Sequence, residues 1–419
     1  MISTLSADLR ASMVKSVLAG ADEAQLVAEV CDGLVRAGVP LSRVALAGDL
    51  LDPTFDGQGV RWKRGEGATR SSFLRNAGDG SSEDWRRSPF FPLVEGGVDR
   101  IRRRLDASYV PGEFPVLDEF RARGATDYVA MIVRVGGAVR LGETNGVTAS
   151  WLTDAPGGFD DAQLDLIADI LPTLAAMFLW QSTRLMARTL VTTYLGRDAA
   201  DRVLAGDIVR GKASRIQAVV WFSDLVGFTR ITDGAAADVV MAMLNDYAEA
   251  QVDAIERNGG HVLKFIGDGL LAIFPDASAQ ASCVRALDAA VELRGRIRDL
   301  NLHRRDQGLP VTDTHLALHL GELLYGNIGG PRRLDFTVLG AAVNEASRIV
   351  AISGSLDQSV IVSTAFAEAA GSARSRLVSL GRYAMKGVAR PQELYTLDVD
   401  QLALSMPTVP DPRGPDDGP

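Results

Sequence analysis

Cysteine is nearly absent. Cys31 and Cys283 are the two in 419 residues, too few for a disulfide framework and consistent with a reducing compartment. Positive charge is also short: 44 Lys and Arg face 53 Asp and Glu, a net charge of -9. That balance argues against nucleic acid as a partner, because phosphate backbones are held by basic surfaces. An uninterrupted apolar run of about 20 residues, the length a bilayer requires, is missing too. The most apolar stretch, residues 164–190, contains Asp165, Asp169, Gln181 and Arg184 and reads as a helix buried against a partner. With Asp8 and Arg10 so early, the N-terminus lacks the profile of a signal peptide. These absences predict a cytoplasmic protein with no integral membrane segment. No Cys/His/acid cluster of metal-ligand spacing surrounds His261 or His319, which are read as structural.

What is present is a globular composition, 47% hydrophobic and 23% charged, long enough for two domains of about 100–200 residues each. The pattern divides the chain into four. Residues 1–163 mix helix-like and strand-like runs, with strands expected at 44–51, 59–63, 128–135 and 148–152, before the turn-rich DAPGGFDD. Residues 164–212 continue as a helical connector, with Asp160 or Asp161 available to cap its start. Residues 213–400 carry the chemistry. The Pro/Asp/Gly-rich end, 401–419, is expected to be a disordered tail.

IQAVVWFSD, residues 216–224, reads as a buried strand ending on Asp224. After LVGFTRITDG, Val240, Met243, Leu244, Tyr247, Val252 and Ile255 recur at helical spacing. A helix opening just behind a carboxylate offers free N–H groups to phosphates, while the carboxylate holds the metal that bridges them. Gly227 permits close backbone approach, and Phe228 and Thr229 stand at that opening as substrate-binding candidates. Two short runs, 261–266 and 270–274, then flank Gly267, Asp268 and Gly269, the layout of a β-hairpin with a D-G turn. Either aspartate alone is explained by a helix cap or a turn. If the hairpin lies beside the 216–223 strand, both meet at one sheet end. Two carboxylates there can hold two divalent ions, which clamp the attacking and leaving oxygens of an in-line phosphoryl displacement.

Further on, a strand is read at 316–324, a Gly-rich turn at 326–333, a short strand at 336–339 and a helix at 341–351. Asn344 and Arg348 stand four apart on that helix and share a face. Arg348 suits developing phosphate charge, and Asn344 suits a ribose. Val343, Ala346, Ile349 and Val350 suggest a largely buried helix, which makes a merely solvated polar face an awkward reading.

FSDLVGFT, KFIGDG, YGNIGG and DFTVLGAAVNEASR, in this order and at these spacings, resemble the catalytic domain of the class III nucleotidyl cyclases over about residues 213–398. The resemblance implies an α+β chain whose C-terminal part is a ferredoxin-like palm with a β-α-β-β-α-β core. Two palms would pair head to tail as a homodimer with shared active sites. It implies two Mg²⁺ or Mn²⁺ ions on Asp224 and Asp268, assisted by the backbone carbonyl of Leu225, and transition-state roles for Asn344 and Arg348 of the opposite protomer. Lys264 matches the family's adenine-selecting lysine, where guanylate cyclases usually carry Glu. Thr337 falls at the second base-reading position, commonly Asp, with Asp335 two residues earlier and out of register. A Thr there resembles the class IIIb subgroup, some of whose members respond to bicarbonate. Arg332 resembles an arginine that reaches the phosphates, and Lys386 a lysine on the closing loop that contacts the polyphosphate.

The activity so implied is closure of ATP to cyclic AMP and pyrophosphate. Residues of about 20–185 resemble a degenerate GAF-type sensor, an α/β domain for an unidentified small-molecule effector or bicarbonate. Three readings compete with an adenylate cyclase: a guanylate cyclase, a diguanylate cyclase, and a catalytically silent nucleotide-sensing dimerisation module. The second lacks support because IGDG is not an acidic GGDEF turn. The third is disfavoured because every nameable catalytic position is filled.

Overall fold

A computed structural model of the chain describes residues 2–49, 55–74, 83–136, 146–385 and 391–398. Lys386 and the tail 401–419 lie outside the described residues. The chain divides into two compact units, residues 1–190 and 191–419.

Among the described residues, unit 1 contains six strands: β1 (Leu41–Asp49), β2 (Phe55–Lys63), β3 (Gly67–Leu74), β4 (Arg100–Arg104), β5 (Asp127–Arg134) and β6 (Gly146–Thr153). Its helices are α1 (Ile2–Leu18), α2 (Glu23–Arg36), α3 (Glu83–Arg86), α4 (Phe91–Val94), α5 (Pro115–Ala122) and α6 (Asp161–Leu195), the last running on into unit 2. The strands form one antiparallel sheet in the order β3-β2-β1-β6-β5-β4. Strand alternation sends Val44, Leu46, Trp62 and Trp151 to one face, where they pack with Leu26 and Leu34 of α2 and Ile167, Ile170 and Phe178 of α6. Tyr128 and Leu152 point the other way, onto Leu117 and Phe120 of α5.

Capping boxes open two of these helices. Asp22 and Gln25 exchange hydrogen bonds at the start of α2, and Asp160 and Gln163 do so at 2.8 and 3.1 Å ahead of α6. Of the two candidate caps, Asp160 is therefore the one used. At 35 residues α6 outruns the stretch marked in the sequence, and by length and composition it is able to cross a membrane. Its Leu164, Ile167, Leu171 and Leu174 nevertheless lie in the core of unit 1.

Unit 2 begins with α7 (Arg197–Leu204) and β7 (Ala213–Leu225), followed by α8 (Phe228–Gly234), α9 (Ala237–Arg257), β8 (His261–Ile266), β9 (Gly269–Pro275) and α10 (Ala279–Asp306). Next come β10 (Thr314–Gly330), β11 (Arg333–Leu339), α11 (Ala341–Leu356), β12 (Val360–Ser363), α12 (Thr364–Ala369), β13 (Leu377–Tyr383) and β14 (Gln392–Leu397). The sheet order is β13-β14-β12-β10-β7-β9-β8, with β11 paired to β10. The run from β7 to β10 is thus a β-α-β-β-α-β unit whose first strand lies between its third and last. Trp221, Leu270, Ala272 and Phe274 face α9 and α10 on one side, against Tyr247, Ile255, Leu287 and Leu293. Val220, Leu271 and Ile273 face the other side, with Phe336 and Val338 of β11 and Ala342 and Ala346 of α11.

Two local expectations change. The segment at 326–333 is not a Gly-rich turn, since β10 continues as a strand to Gly330 and only Pro331 and Arg332 turn the chain. A Cβ on Gly326 would strike the backbone of Lys212 and Ala213, so the glycine answers to a neighbouring strand. The hairpin at Asp268 is closed by Ile266 and Gly269, which leaves Gly267 and Asp268 as its two loop residues. Gly267 takes φ +63, so the turn is Gly-first and not Asp-Gly.

Candidate active site

The site begins where β7 ends. Ser223 is anchored in the core by a 2.6 Å hydrogen bond from its hydroxyl to Gln251 of α9. Leu225 buries its side chain in the same core, and the alternation between them leaves Asp224 solvent-accessible at the strand end. Beyond it the Val226 N–H bonds the Asp313 carbonyl at 2.9 Å, and Gly227, at φ +65, turns the chain into α8. Phe228 is half-buried and Thr229 exposed at the start of that seven-residue helix.

The hairpin tip delivers Asp268 to the same place, because Ser223 of β7 pairs with Leu270 of β9. The approach is close. A Cβ on Gly269 would strike the Ser223 carbonyl oxygen and stand 3.4 Å from Asp224 Oδ1. Packing around Asp224, the charge of Asp268 and a hydrogen bond between the two carboxyls push the Asp224 carboxyl up to about 6, against a smaller lowering by the Leu225 N–H. Two hard oxygen donors sharing one small volume suit a divalent cation of the Mg²⁺ or Mn²⁺ kind. Among the described residues no group of three or more His, Cys, Asp or Glu is placed to hold a metal. Carbonyls, substrate oxygens or water can supply further ligands at this pair.

The other candidates lie elsewhere. Arg332 is exposed in the turn between β10 and β11, and Thr337 is buried on β11. Lys264 on β8 is ion-paired with Asp335. Residues two apart on a strand share a face, so Asp335, set aside in the sequence as out of register, stands beside Thr337 and engages the lysine. The shared face with Thr337 is signalled by the period-two spacing, whereas the contact with Lys264, 71 positions away, is not. On α11, Ala342, Ala346, Ile349 and Val350 are buried, Arg348 is half-buried and Asn344 is exposed. The helix buries one face only, so burial does not carry the case for Asn344. His319 is structural as expected, its Nδ1 2.9 Å from the Ser363 hydroxyl in the interior.

The direction of α11 decides which residues one chain can bring together. A Cβ on Gly321 would meet that of Ala342, and one on Gly354 would stand 3.4 Å from the His315 ring. The helix therefore runs back along β10, and its far end reaches His315, the partner of Asp224 across the β7–β10 ladder. Asn344 precedes Gly354 by ten residues, about 15 Å of helix. One chain holds the aspartate pair at one end of the sheet and Asn344 well away from it.

Residues 212–399 match the family model described as the adenylate and guanylate cyclase catalytic domain. Among curated proteins, the chain is similar to an adenylate cyclase from Anabaena cylindrica, 34% identical over 143 residues, which are 33% of this chain and 28% of that protein. It is also similar to adenylate cyclase 1 from Rhizobium meliloti, 24% identical over 278 residues, 65% of this chain and 41% of that one. The chain thus spans less than half the length of these relatives. Among solved structures it is similar to the adenylyl cyclase CyaB from P. aeruginosa, with 26% identity, 45% of this chain and 96% of that chain covered, and a TM-score of 0.41.

Proposed function

We propose, from the premise that residues 212–399 are an adenylate and guanylate cyclase catalytic domain, that this protein is an adenylate cyclase acting as a homodimer. It converts ATP to 3′,5′-cyclic AMP and pyrophosphate. The observation that carries the reading is the meeting of Asp224 and Asp268 at one sheet end inside the matched stretch. Asp224, Asp268 and the Leu225 carbonyl would hold two divalent ions, whose chemistry there would be to acidify the ribose 3′-hydroxyl and neutralise the triphosphate. Phe228 and Thr229 present the opening of α8 to the phosphates. Arg332 and Lys386 add positive charge toward the polyphosphate. Asn344 and Arg348 come from the second copy, orienting the ribose and meeting the charge that develops on the α-phosphate. The separation of Asn344 from the aspartate pair within one chain supports that division, as the head-to-tail pairing of two ferredoxin-like palms requires.

Base choice rests on Lys264 and Thr337. A hydroxyl both donates and accepts, so Thr337 by itself serves guanine as well as adenine, and a guanylate cyclase is the second reading. Purified full-length protein, assayed with ATP and with GTP under Mg²⁺ or Mn²⁺ and with or without bicarbonate, tests both. Cyclic AMP as the main product is the expected result. Dominant cyclic GMP would replace the reading, and no cyclic nucleotide under any condition would end it. Unit 1 is then a GAF-like sensor that regulates the cyclase, with α6 supplying most of the helical connector at 164–212.

Metal binding has its own readout. The Asp224 carboxyl titrates near 6 in the fold against an ordinary 3.8, so the folded chain holds that proton more tightly than the unfolded chain. Ionisation as pH rises through that window therefore destabilises the metal-free fold. A cation on the ionised pair reverses this. Added Mg²⁺ or Mn²⁺ should raise Tm at about pH 8 and scarcely at about pH 5, and Asp224→Asn should abolish the response. An equal rise at both pH values would place the cation elsewhere.

A further inference from the structure

Two independent features bring Lys264 and Asp335 together. The ladder between β8 and β9 slips after Val262, which faces Ala272, so that Lys264 faces Leu271 and Leu263 is the extra residue. A bulge of this kind re-aims the residues beyond it, and it sets Lys264 on the same sheet face as Leu271 and Leu263. From the other side, β11 carries Asp335 and Thr337 two apart, opposite Ile328 and Gly326 of β10. Thr337 is 7% exposed, while the Asp335 side chain is 53% and that of Lys264 30% exposed. The strand thus offers a buried hydroxyl and, next to it, a carboxylate that holds the ammonium.

We propose that Asp335 is a positioning residue for base recognition: it keeps Lys264 from swinging, and so restricts the site to a 6-amino purine. This rests on the cyclase reading above. An ammonium only donates, an ionised carboxylate only accepts, and a threonine hydroxyl does either. Thr337 can rotate its hydroxyl to meet a 6-amino or a 6-oxo group, so it does not discriminate. Discrimination falls to the neighbouring N1, an acceptor in adenine and an N–H donor in guanine. An ammonium held at N1 pairs with the first and opposes the second. Freed of its carboxylate, the flexible lysine relieves that conflict by moving to the guanine 6-oxygen, where it donates again. The pair thus performs what a Thr at the second base-reading position cannot do alone.

The test compares wild type, Asp335→Ala and Asp335→Glu as full-length protein. Both kcat/KM and equilibrium Kd are measured for ATP and for GTP. Asp335 is solvent-exposed, so its truncation should leave the fold intact, which an unchanged Tm verifies. The expected result is an ATP-over-GTP preference reduced about tenfold or more in Asp335→Ala, the scale of one lost polar discrimination, with partial retention in Asp335→Glu. A preference within about twofold of wild type, whether both nucleotides lose alike or neither changes, overturns the proposal. Because Kd is read without turnover, base preference is measured even if wild type forms no product. Absence of product in wild type counts against the cyclase reading, and an unchanged Kd ratio counts against Asp335.

Discussion

Asp224→Ala and Asp268→Ala should each lower cyclic AMP formation by about a thousandfold or more, with ATP and saturating Mg²⁺ or Mn²⁺. Metal charge stabilisation is worth several kcal/mol, and each 1.36 kcal/mol is a factor of ten. Neither substitution should unfold the protein. Asp224 sits at an accessible strand end, and removing either carboxylate relieves the repulsion that, after burial, helps raise the Asp224 carboxyl. The metal-free Tm of both variants should therefore equal or exceed that of wild type above about pH 6. Turnover at a wild-type rate by either purified variant would rule out a two-metal role for the pair. A fall in Tm that tracks the loss of turnover would assign these residues to folding instead.

The second large effect is a recovery. Arg348→Ala alone should reduce kcat about a hundredfold with KM little changed, the pattern of a contact made in the transition state. Asp224→Ala alone is nearly silent for the reasons above. If Asp224 serves the site from one copy and Arg348 from the other, a heterodimer of the two variants contains one site with both defects and one with neither. Mixed in equal amounts and allowed to exchange, the two poor enzymes should recover about a quarter of wild-type activity, half the dimers carrying one intact site of two. No recovery, with exchange verified, would mean that each chain builds its site alone.

The parts of this architecture that were legible in the sequence are those whose signals are local. The strand at 216–224 shows as a continuous apolar run closed by Asp224, and the hairpin at 261–274 shows as two short runs around a tight turn. Both form as β7 and as β8 with β9. The turn was misread because Gly267-Asp268-Gly269 contains two overlapping turn dipeptides. Only the closing pair of the ladder, Ile266 with Gly269, decides between them. Non-local effects were harder. Gly326 and Gly330 look like turn residues until the chain passing Gly326 at Lys212 is known. The long helix α10 was not singled out, and it buries Cys283, Ala286, Leu287 and Leu293 against a sheet assembled from distant segments. Asp335 was judged by its register with the base-reading position at Thr337, whereas its partner Lys264 lies 71 positions away in sequence.

At Gly269 the hairpin turn rests on the end of β7 with room for a hydrogen and no more. Its consequence concerns how descendants of this chain would decay. One added methyl at 269 would push the hairpin off Ser223 and part the two carboxylates while leaving both in the sequence. Loss of turnover along such a lineage needs no loss of a metal ligand. A pseudoenzyme of this kind would keep every metal, base and phosphate ligand named above, and the glycine beside Asp268 would be its tell-tale.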